Sequence, residues 1–250
     1  MVTFLKLGKH GRFGNQLFQI ASTIGIATQN GHQFAFPFWF NHDQNFRTGG
    51  TDGNVQEHFA RPLPLIPRAL NFEEVVVEFG FSDIKLGEGD FSIFGHLQSE
   101  RYFRHCPKII RAFFTPRRPV ESPLGAGTCA VHIRLGDYDG KLHLRMGADY
   151  YRKAMALLPG GTRFVVFSDE PDAAHKLLGP NHEYVTPSQY ISDFFLMATA
   201  EHNIIGNSSY SWWAAWLNAN PDKIVISPKT WFGSDELSTK DINCEGWRVI

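Results

Sequence analysis

The clearest chemical signal in this sequence is a histidine and an arginine that alternate along a predicted strand, Val131-His-Ile-Arg-Leu-Gly-Asp-Tyr138. Because side chains alternate along a strand, His132 and Arg134 share one face, and the glycine turn places Asp137 at the carboxyl end. Arginine carries a permanent, planar charge that suits phosphate oxygens. A structural Arg134–Asp137 ion pair beside a core histidine fits the same residues, so this segment alone leaves both interpretations open.

A second polar segment, Asn207-Ser-Ser-Tyr-Ser-Trp-Trp213, follows an apolar strand and opens a predicted helix. Ser and Asn cap helices by binding the first N–H groups, and the same N–H groups form a binding site for anions. The alternative is a plain helix cap above core tryptophans. The segment also fits a glycosylation sequon, which we set aside because the chain shows no secretion signal. The candidate phosphate-binding residues are Asn207, Ser208, Ser209 and Ser211.

Two weaker signals lie at the ends of other elements. Ser168 and Asp169 follow the predicted strand Arg163–Phe167, and ligands of parallel sheets bind at the carboxyl ends of strands. Asp193 begins a predicted helix, where its carboxylate could accept the ring N–H and amino protons of guanine. Each of these residues could instead be a simple helix cap.

A glycine-spaced turn, Gly8–Gly14, precedes the first helix. It matches neither the dinucleotide fingerprint nor the phosphate loop of nucleotide hydrolases. Its predicted role is close backbone approach to a ligand, with Gly14, Asn15 and Gln16 as donor-binding candidates. The histidines form no cluster that indicates a metal site, and an arginine with a helix N-terminus can neutralise a diphosphate without a metal ion.

These residues require an α/β framework to position them. In the N-terminal half, the sequence pattern predicts strands at Val2–Leu7, Phe34–Phe38 and Phe91–Gly95. It predicts helices at Leu17–Gln29 and Ser99–Phe114. A Pro- and Gly-rich linker follows at Thr115–Gly127. The C-terminal half alternates strands (Cys129–Ile133, Arg163–Phe167, Asn203–Ile205, Lys223–Ser227) with helices (Asp149–Leu158, Pro171–Leu178, Ser192–Glu201, Ser211–Asn218). Such alternation predicts parallel sheets in two halves with a ligand cleft between them.

Composition narrows the function classes. The charge is nearly balanced, with 24 Lys+Arg against 25 Asp+Glu, which argues against a dedicated nucleic-acid-binding protein. The 3 cysteines are far apart, as expected in a reducing cytosol. No apolar run is long enough to span a membrane. We therefore expect a soluble cytoplasmic protein, and a peripheral membrane attachment stays open.

Taken together and in this order, the segments resemble the α-1,2-fucosyltransferases of glycosyltransferase family 11. The resemblance spans nearly the whole chain apart from about residues 38–90. The similar segments are Gly11–Gln19, Gly95–Phe103, His132–Tyr138, Phe167–Glu170, Asp193–Asn218 and Ile226–Phe232.

The resemblance implies a GT-B-like fold of two Rossmann-like domains, GDP-L-fucose as donor, no metal or other cofactor, and inversion at the sugar carbon. It implies that Arg134 contacts the diphosphate beside Ser209 and Ser211. In related families the equivalents of His132 and Asp193 approach the guanosine. The family usually has a second arginine where Leu135 stands, a second aspartate where Glu170 stands and Phe in place of Tyr210, so the donor sugar could differ.

The sequence thus predicts an acceptor-side domain over residues 1–118 and a donor-binding domain over residues 119–250. The predicted reaction moves L-fucose from GDP-fucose to a galactoside hydroxyl of a glycan. Arg134 would stabilise the leaving diphosphate, and Asp137 is the first candidate for the base. Another GDP-sugar donor, a protein acceptor, or a binding protein without catalysis are the alternatives.

Overall fold

A computed structural model describes residues 1–40, 54–67, 70–136, 138, 143–234, 237 and 239–250. The chain forms two compact units. The first contains Met1–Pro119 and Lys240–Cys244, and the second contains Val120–Thr239 and Glu245–Ile250. A single boundary after residue 118 does not account for the return of Lys240–Cys244 to the first unit. The functional roles assigned to the two domains stay predictions.

The first unit is built on a three-stranded parallel sheet in the order β1-β3-β2. The strands are β1 (Val2–Thr3), β2 (Glu73–Val76) and β3 (Phe91–Phe94), and the helices are α1 (Phe13–Gln29) and α2 (Pro107–Phe113). Single turns of 3-10 helix lie at Val55–His58 and Glu100–Tyr102.

Two of the elements predicted for this unit are wrong, and one strand was missed. Phe34–Phe38 makes only isolated bridges, from Phe34 and Phe36, because Pro37 cannot donate to a ladder. Ser99–Phe114 is not one helix: Pro107 disfavours a helical Cys106 and begins α2 afresh. Strand β2 was not predicted, because its side chains are almost all exposed and give no alternating apolar pattern.

The second unit contains a six-stranded sheet in the order β6-β5-β4-β7-β8-β9, with every pair of neighbours parallel. Its elements are β4 (Gly125–Ile133), α3 (Ala148–Ala156), β5 (Arg163–Ser168), α4 (Pro171–Leu178), β6 (Glu183–Tyr184), α5 (Tyr190–Met197), β7 (Ala200–Ile204), α6 (Ser209–Leu217), β8 (Val225–Ser227) and β9 (Arg248–Val249). Each strand and helix predicted for this half has a counterpart. The short strands β6 and β9 were missed, and β4 begins inside the predicted linker.

Strand β4 is the centre of this unit. Its residues Cys129, Val131 and Ile133 are buried in one core cluster with side chains from α3, α4, β5, β7 and β8. The intervening His132 lies on the opposite face, where its ring is 5.4 Å from the ring of Tyr210 on α6. The predicted alternation of faces is therefore present. One face of β4 packs in the core cluster, and the other face contacts α6.

The strand order creates a topological switch at β4. The chain proceeds from β4 to β5 and β6 on one side, and then crosses to β7, β8 and β9 on the other. Open α/β sheets bind ligands outside the carboxyl ends of the strands at such a point. The loops after β4 and β7 are therefore the expected ligand-binding edge. In the described part of the chain, no helix is both long and apolar enough to cross a membrane.

Replacing Gly25 with alanine is predicted to destabilise the first unit. In a helix interior, alanine is normally more stabilising than glycine by about 0.5–1 kcal/mol. A Cβ on Gly25, however, would lie 2.0 Å from the carbonyl oxygen of Tyr102. Relieving that overlap requires a backbone shift, and overpacking costs about 1–3 kcal/mol. We expect a lower midpoint of urea unfolding.

The matched control is Gly87→Ala in the same unit, where an added Cβ meets nothing within 4 Å. A Gly25→Ala protein as stable as the Gly87→Ala protein would contradict the described packing of α1.

Candidate functional site

The carboxyl ends of β4 and β5 meet in register, with Ile133 opposite Ser168. Arg134 follows the first strand and Asp169 follows the second, so the sheet itself brings these two side chains together. Nη1 of Arg134 lies 3.0 Å from Oδ2 of Asp169. The ion pair considered from the sequence was with Asp137, which lies outside the described residues.

The carboxylate of Asp169 also holds the backbone of the loop after β4. Its Oδ1 accepts a hydrogen bond from Leu135 N at 3.0 Å, and its Oδ2 accepts one from Gly136 N at 3.0 Å. A Cβ on Gly136 would come within 2.7 Å of Oδ2, so the close approach requires glycine. Asp169, predicted as a donor-binding residue, is seen here as the group that fixes the Arg134 loop.

The side chain of Arg134 is partly exposed and is held by its ion pair with Asp169. The Arg134 side chain is 24% exposed and that of Asp169 is 22% exposed, so the pair is partly shielded from solvent and is less screened by salt than a surface pair. The guanidinium Cζ also lies 5.9 Å from the ring centroid of Tyr138. A cation held by a carboxylate and an aromatic ring at a sheet edge is suited to an anionic ligand.

His132 lies behind Arg134 and is almost completely buried. Burial lowers the pKa of His132 to about 4, a shift opposed by the Asp169 carboxylate and reinforced by the Arg134 cation. The imidazole is therefore neutral near pH 7. Its Nδ1 is buried with no hydrogen-bond partner among the described residues, which is unusual because buried polar atoms are nearly always paired.

Helix α6 begins at the same edge of the sheet. Ser208 is its N-cap residue, yet the Ser208 side chain makes no capping hydrogen bond. The hydroxyl of Ser211 donates to the carbonyl of Ser208 at 3.2 Å. The local sequence therefore forms a helix start whose dipole and N–H groups are not capped by Ser208, an arrangement that favours negative charge.

Asn207 ties this helix start to its surroundings. Its Nδ2 donates to the carbonyls of Leu144 at 2.9 Å and Trp231 at 2.8 Å, and its own carbonyl accepts from the hydroxyl of Tyr138 at 2.7 Å. Both amide hydrogens are thus used within the protein, and Asn207 is only 5% exposed. A buried, fully engaged Nδ2 also excludes glycosylation of this sequon in the folded protein.

The remaining predicted residues of this unit make local bonds. Oγ of Ser168 accepts from Glu170 N at 3.1 Å. The carboxylate of Asp193 accepts from the hydroxyl and the N–H of Ser188, while burial raises the pKa of Asp193 above its ordinary value in spite of these bonds. Tyr210 donates its hydroxyl to the carbonyl of Tyr190, and so links α6 to α5 beside Asp193.

The predicted residues of the first unit hold its glycine turn. Nε2 of Gln16 donates to the carbonyl of Gly11 at 2.9 Å, and Oε1 of Gln16 accepts from Trp39 Nε1 at 2.7 Å. Oδ1 of Asn15 accepts from Gln98 Nε2 at 2.7 Å, and Gly14 is buried in α1. These contacts are structural, and the donor-binding roles of Gly14, Asn15 and Gln16 stay predictions.

Sequence reasoning missed two features of the site. Tyr138, at the end of the quoted motif, connects the loop after β4 to the start of α6 through Asn207. Arg145 donates from Nε to the carbonyl of Tyr138 at 2.5 Å. Neither contact has a local sequence signal, since each joins segments that the fold brings together. Among the described residues, no cluster of three or more His, Cys, Asp or Glu side chains is placed to hold a metal ion.

Residues 125–250, just over half of the chain, match the family described as glycosyl transferase family 11. An Escherichia coli protein named O-antigen biosynthesis glycosyltransferase WbnK is 41% identical over 126 residues, which cover 45% of this chain and 42% of that protein. An Escherichia coli alpha-1,2-colitosyltransferase is 31% identical over 184 residues, 64% of this chain and 62% of that protein. The chain thus spans less than two thirds of the length of either relative.

One solved structure establishes the fold. The fucosyltransferase NodZ from Bradyrhizobium matches 85% of this chain and 91% of its own, with a TM-score of 0.50 and 14% sequence identity. Together with the parallel sheets of both units, this likeness confirms the predicted α/β, GT-B-like fold class.

Replacing His132 with glutamine is predicted to remove part of the acid sensitivity of folding. The pKa of His132 is about 4 in the folded protein and near 6.5 in the unfolded chain, so the unfolded chain binds the proton preferentially between these values. His132 therefore lowers the free energy of unfolding as the pH falls from 6.5 towards 4. Between pH 7 and pH 5, urea denaturation should show the wild type losing on the order of 1–2 kcal/mol more than His132→Gln.

The matched control is His105→Gln, because the side chain of His105 is exposed. If His132→Gln loses as much stability as the wild type between pH 7 and pH 5, the neutral buried state assigned to His132 is wrong.

Proposed function

The chain belongs to glycosyl transferase family 11, and from that premise we propose that it transfers L-fucose from GDP-L-fucose to a galactoside hydroxyl of a glycan in α-1,2 linkage. The observation that carries the proposal is the Arg134–Asp169 pair at the switch point of the second unit, next to the N-terminus of α6. Both groups favour an anion. The diphosphate of GDP-fucose is the anionic ligand that we assign to this edge of the sheet.

The reaction follows from this placement of charge. The acceptor hydroxyl attacks the anomeric carbon from the face opposite the nucleotide, so the configuration at that carbon inverts. The bond to the diphosphate breaks, and the released negative charge is stabilised by Arg134 and by the first turn of α6. Such fixed donors commonly supply the largest single contribution to the rate, because they need no reorganisation as charge develops.

The hydroxyl proton requires an acceptor. Asp137 is the residue we propose for this role, since it follows Arg134 by three positions in the sequence. We propose that no metal ion takes part, because the cation and the helix dipole provide positive charge where the diphosphate leaves.

The nucleoside would lie towards α5. The Asp193 carboxylate is half-buried, and burial raises its pKa; a planar acceptor in such a place suits the adjacent N–H groups of guanine. His132, which is neutral and has a buried Nδ1 without a partner in the described residues, is the second candidate contact. Ser209 and Ser211 would flank the diphosphate.

The first unit is the proposed acceptor side, and a glycan is the proposed acceptor. We place the protein in the cytoplasm, because Cys106, Cys129 and Cys244 are free thiols, the state that a reducing compartment maintains. Peripheral attachment to a membrane is compatible with this assignment.

A second donor sugar has a specific basis. The relative that is 31% identical over 184 residues is named an alpha-1,2-colitosyltransferase. Arg134 and the N-terminus of α6 would bind either donor, because they would contact the diphosphate of the nucleotide rather than the sugar. The choice between L-fucose and colitose therefore depends on other residues.

Replacing Arg134 with alanine is predicted to lower the rate of sugar transfer about 10²–10³-fold, the usual effect of removing one donor that stabilises transition-state charge. The measurement is GDP release from GDP-fucose in the presence of a panel of galactoside acceptors. Arg152→Ala is the control, because Arg152 is an exposed arginine of the same unit. An Arg134→Ala enzyme within a few-fold of the wild type would overturn the assignment.

The same assay separates the alternatives when the wild type is given several donors. Release of GDP from GDP-fucose, with a fucosylated product identified by mass analysis, supports fucosyl transfer. Preference for GDP-colitose or another GDP-sugar would show that the donor is that sugar nucleotide. Labelling of a protein instead of a glycan would show that the acceptor is a protein. Binding of GDP without turnover of any donor would indicate a non-catalytic binding protein.

A further inference from the structure

We propose that Arg145 is a second cation of the anion site and that it contacts the diphosphate together with Arg134. This inference rests on the proposed function, because it concerns the way the nucleotide is held. Arg145 is exposed, and it is anchored by one hydrogen bond from Nε to the carbonyl of Tyr138, at 2.5 Å.

The backbone on each side of this anchor is attached to the start of α6. Leu144, which precedes Arg145, accepts a hydrogen bond from Asn207 Nδ2 at 2.9 Å. Tyr138, which accepts from Arg145, donates its hydroxyl to the carbonyl of Asn207 at 2.7 Å. Since Asn207 directly precedes the N-cap residue Ser208, the base of the Arg145 side chain is held next to the helix N-terminus.

Tyr138 is the common neighbour of the two arginines. The Cζ atom of Arg134 lies 5.9 Å from the Tyr138 ring, and Nε of Arg145 bonds to the Tyr138 carbonyl. One tyrosine therefore carries a guanidinium on its ring and another on its backbone. Leu135, the residue beside Arg134, packs against the core, so position 135 contributes no charge to this edge.

The two cations differ in their countercharge. Arg134 is paired with Asp169, whereas Arg145 forms no ion pair among the described residues. The anchor uses one of the five N–H donors of the Arg145 guanidinium. In the proposed arrangement, the Nη groups of Arg145 meet the phosphate oxygens. A pair of guanidinium groups suits two adjacent phosphoryl groups, which distinguishes a nucleoside diphosphate from a nucleoside.

Lysine should not replace Arg145 fully. The arrangement uses one edge of the guanidinium for the Tyr138 carbonyl and the other for the ligand, and a lysine has no such fork. Arg145→Lys keeps the positive charge but loses the fixed geometry. We expect it to bind diphosphate less tightly than the wild type and more tightly than Arg145→Ala.

The test is isothermal titration calorimetry with guanosine and with GDP on the wild type, Arg145→Ala, Arg145→Lys, Arg134→Ala and Arg152→Ala. Guanosine reports the nucleoside site and the folded state of each variant, and GDP adds the diphosphate. Arg145→Ala should weaken GDP binding about tenfold, as expected for the loss of an exposed charge-assisted hydrogen bond. Guanosine binding should change less than about twofold, and the loss should shrink at high ionic strength.

Each outcome decides between the two proposals. Arg152 carries the same charge on α3, where it lies 3.8 Å from Asp149, and Arg152→Ala should bind both ligands like the wild type. If Arg134→Ala loses GDP binding while Arg145→Ala binds GDP like the wild type, the second cation is refuted and the proposed function stands. If the wild type binds neither GDP nor any of ADP, UDP and pyrophosphate, both proposals fail.

Discussion

The carboxylate of Asp169 is the constraint on which the site depends. At the end of β5 it accepts hydrogen bonds from the N–H groups of Leu135 and Gly136 and pairs with the guanidinium of Arg134. One side chain thereby fixes both the loop after β4 and the cation that the loop carries. A cation that is already in place stabilises developing charge without reorganisation, which is the condition for efficient electrostatic catalysis. Asp169 also offsets part of the positive charge of Arg134.

Asn207 holds the start of α6 beside the loop after β4. Its amide holds the segments around Leu144 and Trp231, and its carbonyl receives the hydroxyl of Tyr138. These bonds place the start of α6 and the loop after β4 at one edge of the sheet. Behind them, His132 is buried and neutral because burial lowers its pKa. The neutral histidine therefore adds no repulsion to the nearby Arg134 cation.

Local sequence patterns predicted the strands, the helices and the face of β4 in the second unit, because periodic burial governs all three. Local patterns did not predict contacts between residues that are far apart in the sequence. The pairing of Arg134 with Asp169 depends on the register of β4 and β5, whereas proximity in the sequence favoured Asp137. Arg145 carried no signal, because its place depends on contacts of Leu144 and Tyr138 with α6. Strands of two residues, such as β6 and β9, are too short to show a pattern.

We propose that Arg134 and the N-terminus of α6 hold the diphosphate of a sugar nucleotide. A crystal structure of the protein with bound GDP tests it most directly. We expect phosphate oxygens within hydrogen-bonding distance, about 2.7–3.2 Å, of the Arg134 guanidinium and of N–H groups in the first turn of α6. A diphosphate that contacts neither of these groups, or GDP bound at another edge of the sheet, would contradict it.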